Sequence, residues 1–173
     1  MKECWERTGA APVGTRWLDT NKGDSTNPCY RSRWVAQQYR RAWVEAIFAA
    51  TPHIEAARLV IADAASRCRE GQDIQTMVID IKRAYFYAKS QRDIYVRLPP
   101  EDPRAGDPSV CGKLKKSLYG TRDAGANWQA EYTDFLLSVD LLQGATNPCH
   151  FFSGDQSIKC IVHGDDFFNH RHS

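Results

Sequence analysis

Three aspartates lie where apolar, β-branched stretches of the sequence end. Asp80 follows the stretch 76–79, and Asp165 and Asp166 follow the stretch 161–164. A carboxylate at the end of an apolar strand is costly to desolvate unless it meets a cation or hydrogen-bond donors. Carboxylates placed together are hard oxygen ligands that suit Mg²⁺. The pattern therefore indicates divalent-cation chemistry, and a solvated Asp-Asp turn is the alternative interpretation of the second pair.

The spacing of these acids also limits how they can act. Neighbouring side chains of a strand point to opposite faces, so Asp165 and Asp166 can serve one ligand only if the backbone turns beside them. Gly164 favours such a turn because glycine adopts left-handed conformations readily. Acids that end neighbouring strands about 4.8 Å apart could share two cations. Two cations about 3.5–4 Å apart are the arrangement of two-metal phosphoryl transfer.

The elements that must position the acids are short strands and two helices. A hydroxyl cap before proline at Thr51-Pro52 predicts the start of one helix, whose apolar stripe should be core and whose stop is Gly71. An apolar stripe that includes Trp128 predicts a second helix from Ala124. Strands are predicted at residues 13–19, 30–39, 76–81, 94–98, 149–152 and 158–162, of which 76–81 should be buried. The return strand at 167–170 should be poorly paired and should expose a sheet edge.

Composition limits the class of protein. A chain of 173 residues with 42% hydrophobic and 25% charged residues is typical of one soluble globular domain. The net charge is only +2, so any basic surface must be local. The six cysteines form no CxxC pair, which favours free thiols, and no apolar run is long enough to cross a membrane. Two basic clusters are candidates for phosphate contacts: Arg31, Arg33, Arg40 and Arg41, and Lys113, Lys115, Lys116 and Arg122.

Four blocks of the sequence together resemble the reverse transcriptase of copia-type LTR retrotransposons. They are residues 30–36, residues 79–86 with 93–96, residues 114–128, and the box His163-Gly164-Asp165-Asp166. The third block, Leu-Lys-Lys-Ser-Leu-Tyr-Gly followed by Trp128, is the most specific. Three positions depart from the family pattern: His163 replaces a tyrosine, Gly164 is the middle residue of the box, and Gly125 replaces a proline.

The resemblance implies a fold and a domain extent. The expected class is α+β, with a polymerase palm-like antiparallel sheet, helices on one face and part of the fingers, and with the thumb absent. Residues 1–14 would be an N-terminal flank, and residues 15–173 a partial fingers and palm domain. The chain would then be a fragment of a retrotransposon polyprotein that is not expected to polymerise processively alone.

The resemblance also implies roles for individual residues. Asp80, Asp165 and Asp166 would be catalytic and would bind two Mg²⁺ ions, for which Mn²⁺ could substitute, with help from the Ile81 carbonyl. The predicted substrate-binding residues are Arg31 or Arg33 for the triphosphate, Tyr85 as the gate under the sugar, and Tyr119 and Gly120 at the nascent base pair and template.

The implied partners are an RNA or DNA template with its primer, deoxynucleoside triphosphates and the remainder of the polyprotein, in cytoplasmic particles and without a membrane. Two alternatives stay open. One is a catalytically inactive remnant that at most binds nucleic acid through its basic clusters. The other is a metal-dependent hydrolase with a mixed site of His163, Asp165, Asp166, His170 and His172, because imidazole and carboxylate ligands together suit Zn²⁺ or Mn²⁺.

Overall fold

The structure of this protein is a computed structural model that describes residues 1–38 and 49–172. The chain divides into two compact units: unit 1 comprises residues 1–47 and 85–127, and unit 2 comprises residues 48–84 and 128–173. Arg40, Arg41 and the last residue of the predicted strand 30–39 lie outside the described residues. Within the described ranges, no helix has the length and apolar character that a membrane span requires.

The secondary structure is mixed, with three α-helices, one short 3-10 helix (Ala84–Phe86) and nine strands in the described residues. In chain order the α-helices and strands are α1 (Lys2–Thr8), β1 (Thr15–Asn21), β2 (Tyr30–Ala36), α2 (Ile54–Arg69), β3 (Ile74–Asp80), β4 (Tyr95–Val96), β5 (Gly112–Lys113), α3 (Ala124–Ser138), β6 (Leu141–Gln143), β7 (His150–Ser153), β8 (Ile158–His163) and β9 (Asp166–His172).

Unit 1 is built from two small antiparallel pairs. Strands β1 and β2 form a hairpin, which confirms the two strands predicted near the N-terminus. The Asn21 side chain closes the loop between them, because its Oδ1 accepts hydrogen bonds from the backbone N–H groups of Gly23 and Cys29. Strands β4 and β5 form the second pair. The core of the unit is a compact apolar cluster of Ala36, Ile94, Val96 and Leu118.

Unit 2 contains a five-stranded sheet in the order β3-β9-β8-β7-β6. Every neighbouring pair in it is antiparallel. Helix α3 begins in unit 1 and continues into unit 2. This architecture confirms the α+β class predicted from the sequence.

The two long helices contact the sheet of unit 2 through different side chains. Tyr132 of α3 packs edge-on against Phe151 and Phe167. Asp63 of α2 instead contacts Lys159 and His170, which are directly opposite each other on β8 and β9. Side chains an odd number of residues apart on a strand lie on opposite faces. The helices are therefore divided between the two faces of the sheet rather than placed together on one.

The end of the chain forms a central strand, so the predicted poorly paired return strand is wrong. Strand β9 runs from Asp166 to His172 and pairs with β8 on one side and with β3 on the other. Its second partner lies far away in the sequence, and local pattern carries no signal of such a non-local pairing. The edge strands of this sheet, as the structure describes it, are β3 and β6 instead.

The prediction that residues 76–81 form a buried strand is also wrong. Strand β3 is at the sheet edge and is mostly exposed, with Met77 53% and Val78 72% exposed. Among the described elements, only β9 and α2 make substantial contact with it. An apolar run predicted the strand correctly, but it could not show how many neighbours the strand would have.

Helix α2 differs from its prediction at its start and on its face. It begins at Ile54 with His53 as N-cap and without a side-chain capping hydrogen bond, so the predicted cap at Thr51 is not used. Only Val60 and Ala64 of its apolar stripe are buried, while Ile54 and Ile61 are more than half exposed. Apolar packing alone therefore holds this helix weakly.

Candidate active site

The Asp-Asp box forms the tip of the hairpin between β8 and β9. His163 pairs with Asp166, and Gly164 and Asp165 are the two turn residues. Gly164 has φ 66°, and a two-residue hairpin loop with glycine at its first central position is the arrangement of a type II′ turn. The indole N–H of Trp128 donates a hydrogen bond of 2.8 Å to the Gly164 carbonyl. The turn that Gly164 predicted is confirmed, and Trp128 of α3 fixes it by this hydrogen bond.

The strand register brings two of the predicted acids together. Asp80 of β3 is directly opposite Asp166 of β9, and directly opposite residues have side chains on one face with Cβ atoms about 4.5–5.5 Å apart. The backbone N–H of Ile81 donates to the carbonyl of Asp165 at 2.9 Å. All three aspartates are exposed. The sheet therefore presents a carboxylate pair at one end, with the third acid in the adjoining turn.

The chemistry of this set fits Mg²⁺, since carboxylate oxygens are the ligands that Mg²⁺ prefers. The register supplies a pair of such ligands on one face. Within residues 1–38 and 49–172, however, no three His, Cys, Asp or Glu side chains are placed so that they could hold one metal ion. The donors are thus of the right kind and adjacent, but they do not form a closed site.

The mixed His/Asp site of a hydrolase is not formed. His170 is fully buried and its Nε2 lies 3.3 Å from an Asp63 carboxylate oxygen. It also lies four residues along β9 from Asp166, about 13 Å at the usual rise of a strand. The structure therefore does not bring together the five residues of the alternative hydrolase site, His163, Asp165, Asp166, His170 and His172.

Three of the predicted substrate-binding residues meet at one aromatic ring in unit 1. The rings of Tyr85 and Tyr119 have centroids 4.6 Å apart, and Phe86 meets Tyr119 edge-on at 5.5 Å. The guanidinium carbon of Arg33 lies 6.0 Å from the centroid of the Tyr119 ring, which is within the range of a cation–π contact. Arg31 is on the same face of β2 and is exposed. Arg33 thus lies against Tyr119, and which of the two arginines meets the triphosphate stays a prediction.

The segment that carries Tyr119 and Gly120 is hydrogen-bonded to the end of β2. The Ala36 N–H donates to the Tyr119 carbonyl at 2.7 Å, and the Gln38 N–H donates to the Gly120 carbonyl at 3.3 Å. Gly120 has φ 84°, and a Cβ atom there would lie 1.9 Å from the Ala36 carbonyl oxygen. Glycine is required at this position by conformation and by space. Its predicted contact with the template stays a prediction.

A partly buried ion pair holds the start of α3 in unit 1: Asp123 is buried, whereas Arg92 is 41% exposed. Arg92 donates two hydrogen bonds, of 2.9 and 3.0 Å, to the two carboxylate oxygens of Asp123. Burial opposes ionisation of Asp123, but the hydrogen bonds from Arg92 outweigh it and hold the pKa of this carboxyl below its ordinary value. Asn127 donates to the Ser117 hydroxyl at 3.0 Å. These contacts explain several residues of the third block without any substrate.

A second ionic cluster lies in unit 2 and was missed by the sequence analysis. Asp63 accepts hydrogen bonds from Arg67 at 3.0 Å and from Lys159 at 2.9 Å, in addition to its contact with His170. Burial opposes its ionisation, but the bonds from Lys159 and Arg67 keep its pKa below the ordinary value. A signal was present: Asp63 lies between Val60 and Ala64 on the face of α2 that turns to the core.

The predicted site residues are therefore divided between the units. Asp80, Ile81, Asp165 and Asp166 belong to unit 2, and Arg31, Arg33, Tyr85, Tyr119 and Gly120 belong to unit 1. Within unit 2, the strand register positions the acids. Within unit 1, the contacts of Tyr119 position the aromatic and basic residues.

Comparison with protein families identifies the class. Residues 6–169 match the family described as reverse transcriptase (RNA-dependent DNA polymerase). The match covers nearly the whole chain, and the protein therefore belongs to the reverse transcriptase family.

Comparison with individual proteins supports the same assignment. The chain is 26% identical over 166 residues to the retrovirus-related Pol polyprotein from transposon TNT 1-94 of Nicotiana tabacum, an alignment that covers 91% of the chain and 12% of that protein. It is 26% identical over 161 residues to the retrovirus-related Pol polyprotein from transposon RE1 of Arabidopsis thaliana, covering 89% of the chain and 11% of that protein. No solved structure gives a significant match. The resemblance to copia-type elements is confirmed, and the chain spans about one eighth of these relatives.

Proposed function

We propose that this chain is the fingers and palm part of an RNA-directed DNA polymerase from a copia-type retrotransposon polyprotein. Its reaction would be transfer of a nucleotide from a deoxynucleoside triphosphate to the 3′-hydroxyl of a primer. The observation that carries the proposal is the cross-strand pairing of Asp80 with Asp166 beside the turn that holds Asp165. These are the acids that the family match leads us to expect, and they lie together at one end of one sheet.

The proposed cofactors are two Mg²⁺ ions, with Mn²⁺ as a substitute. Asp80, Asp165, Asp166 and the carbonyl of Ile81 would hold them. When bound, such ions lower the pKa of an attacking hydroxyl and stabilise the leaving oxygen. The residues themselves contribute charge and position: the Asp80–Asp166 register fixes two carboxylates on one face, and the Trp128 hydrogen bond fixes the turn.

We assign nucleotide binding to the residues around Tyr119 in unit 1. Tyr85 would lie under the sugar and reject a 2′-hydroxyl, and Arg33 would meet the triphosphate, as a guanidinium suits bidentate phosphate recognition. The contact of Arg33 with Tyr119 supports Arg33 over Arg31. Replacing each arginine by alanine tests the choice: Arg33→Ala should raise the KM for dTTP about tenfold, the scale of one charge-assisted bond, whereas Arg31→Ala should leave it unchanged.

The proposed partners follow from the same reaction. They are an RNA or DNA template with its primer and the remainder of the polyprotein, in a cytoplasmic particle. Template binding should rest mainly on phosphate contacts and should weaken as salt is raised. The proposed domain is the partial fingers and palm domain of residues 15–173, after a flank of residues 1–14.

Single-nucleotide incorporation by the purified 173-residue chain tests the proposal. With oligo(dT) on poly(rA) and labelled dTTP, we expect slow addition of one or a few nucleotides that requires Mg²⁺ or Mn²⁺. Asp80→Asn should lower the rate at least 100-fold, on the scale that loss of an electrostatic catalytic group gives. Asp73→Asn is the matched control, because Asp73 is an exposed acid at the other end of the same strand, and it should leave the rate unchanged.

One observation favours a second candidate function, the inactive remnant that binds nucleic acid. The acids do not form a closed three-ligand site in the described residues. If salt-dependent binding of the primer–template occurs without any metal-linked incorporation, the remnant is the correct account and the polymerase proposal fails for this chain.

A further inference from the structure

The ionic cluster around Asp63 lies outside the site just described and has no part in the proposed reaction. Asp63 pairs with Arg67 on α2 and with Lys159 on β8, and its carboxylate lies 3.3 Å from Nε2 of His170 on β9, a contact that is not a hydrogen bond. Burial lowers the pKa of His170, so its imidazole is neutral near pH 7 and adds no ion pair. The His170 side chain has no exposed surface, and Lys159 is 17% exposed. Such a cluster is expensive to bury unless its charges are matched. Because the cluster lies between α2, β8 and β9, it could hold the helix against the sheet.

Helix α2 depends on this cluster for its attachment to the sheet. Only two of its side chains, Val60 and Ala64, are buried, and Leu59, like Ile54 and Ile61, is more than half exposed. Asp63 lies between the two buried residues and contacts both β8 and β9. Loss of its carboxylate would leave the ammonium of Lys159 partly buried without a counter-charge, which opposes docking of the helix.

Strand β3, which carries Asp80, depends in turn on α2. In the part of the chain that the structure describes, its one hydrogen-bonded neighbour is β9. Among the described elements, α2 also lies near β3, with far less contact than β9 makes. Edge strands with few contacts open at low free-energy cost. A helix that lies against β3 and is fastened to β8 and β9 therefore restrains the opening of β3.

We propose that Asp63 is a positioning residue for the carboxylate pair: through its ion pair with Lys159 and its packing against His170 it fastens α2 to the sheet and holds β3, and with it Asp80, in register with Asp166. His170 faces Thr76 across the β9–β3 pair, four residues from the pair of Asp166 and Asp80. The residue of β9 that Asp63 contacts therefore lies on the strand that carries Asp166 and is directly opposite the strand that carries Asp80. The link to metal binding rests on the proposed function, but the link to β3 does not.

Amide hydrogen exchange on the full chain tests the link to β3. In Asp63→Asn we expect protection of the β3 amides to fall at least tenfold, while the β6–β7 amides keep their protection. Asp63→Glu retains the charge and should restore most of the β3 protection. Glu55→Gln is the matched control, because Glu55 is an exposed acid on the same helix, and it should change neither group of amides.

Mn²⁺ binding, followed by electron paramagnetic resonance, tests the link to the acids. Asp63→Asn should weaken Mn²⁺ binding three- to tenfold, and Asp63→Glu should recover it. If the unsubstituted chain binds no Mn²⁺, the proposed metal site fails while the exchange experiment still decides the positioning role. If Asp63→Asn binds Mn²⁺ as tightly as the unsubstituted chain, the effect on the acids is refuted.

Two further outcomes would overturn the positioning role. Unchanged β3 protection in Asp63→Asn would show that the cluster does not hold the strand. An equal loss of protection in every strand would show a general structural role only. Should Asp63→Asn fail to fold, Lys159→Gln removes one partner and leaves Asp63 paired with Arg67, and it should give a smaller loss confined to β3 and β9.

Discussion

The third block in unit 1 and the Asp-Asp hairpin in unit 2 are held in place by different kinds of contact. Around the third block, Ser117, Leu118 and Asp123 are buried, and hydrogen bonds join the segment to β2, to α3 and to Arg92. The acids of unit 2 are exposed and are fixed only by strand register and by the turn. A sequence block can therefore be specific because it packs, while the residues proposed for chemistry are held by few contacts of their own.

The strongest test of this contrast is Gly120→Ala. Its Cβ atom would lie 1.9 Å from the Ala36 carbonyl oxygen at φ 84°. We expect the free energy of unfolding to fall by about 3 kcal/mol or more, as for a strained position without space. Denaturant unfolding measures it. Gly106→Ala has nothing within 4 Å of its added methyl group and should change stability by less than about 0.5 kcal/mol; equal effects would disprove the close-packing account.

Asp123→Asn should cause the next largest loss of stability. The change removes the charge from a carboxylate that accepts two hydrogen bonds from Arg92. A hydrogen bond to a charged group contributes about 1.5–3 kcal/mol to the free energy of unfolding. Because Arg92 is partly exposed, we expect a loss of about 2 kcal/mol near pH 7.

The same carboxyl predicts a pH dependence. Its pKa in the folded protein lies below the ordinary value of 3.8, so the folded state binds fewer protons than the unfolded state. The contribution to stability is complete above that value and is lost as pH falls below 3.8 through the folded pKa. Urea unfolding between pH 6 and pH 2.5 should therefore show a steeper loss in the unsubstituted protein than in Asp123→Asn. Parallel curves would contradict the assignment.

The smallest expected change in stability is a gain rather than a loss. Asp166 lies directly opposite Asp80, and like charges directly opposite on a sheet repel by about 0.2–1 kcal/mol. Asp166→Asn should leave stability unchanged or raise it by that amount in low salt without divalent ions. Denaturant midpoints with and without 0.5 M salt check this, since salt should reduce the gain. A clear destabilisation would show that the acids are structural after all.

Local sequence patterns predicted the helices and strands. They did not predict how exposed each strand is or where it lies in the sheet, because these depend on pairing between distant segments. The hairpin of β1 and β2, the helix from Ala124 and the turn at Gly164 could be read from residues within each segment. The exposure of β3 and the central position of β9 depend on pairing between distant segments. For the same reason the carboxylates could be named from the sequence, whereas the cross-strand match of Asp80 with Asp166 required the structure.

The site shows a similar limit. The sequence suggested Tyr85, Tyr119 and two arginines, but the contact that favours Arg33 is a cation–π contact with the Tyr119 ring on a separate segment. Gly120 was predicted for its contact with substrate, and its packing against Ala36 could not be read from its neighbours in the sequence. Asp63 was passed over because its partners, Lys159 and His170, lie on strands that follow much later in the chain.

The central claim is that the acids at the end of the sheet in unit 2 bind the catalytic cation. Titration of the ¹⁵N-labelled chain with Mn²⁺ tests it most directly, because the ion broadens the resonances of nearby amides. We predict that broadening begins at Asp80, Ile81 and residues 163–166, and that Asp80→Asn abolishes it there. Broadening that begins at other acids, or that survives in Asp80→Asn, would contradict the claim.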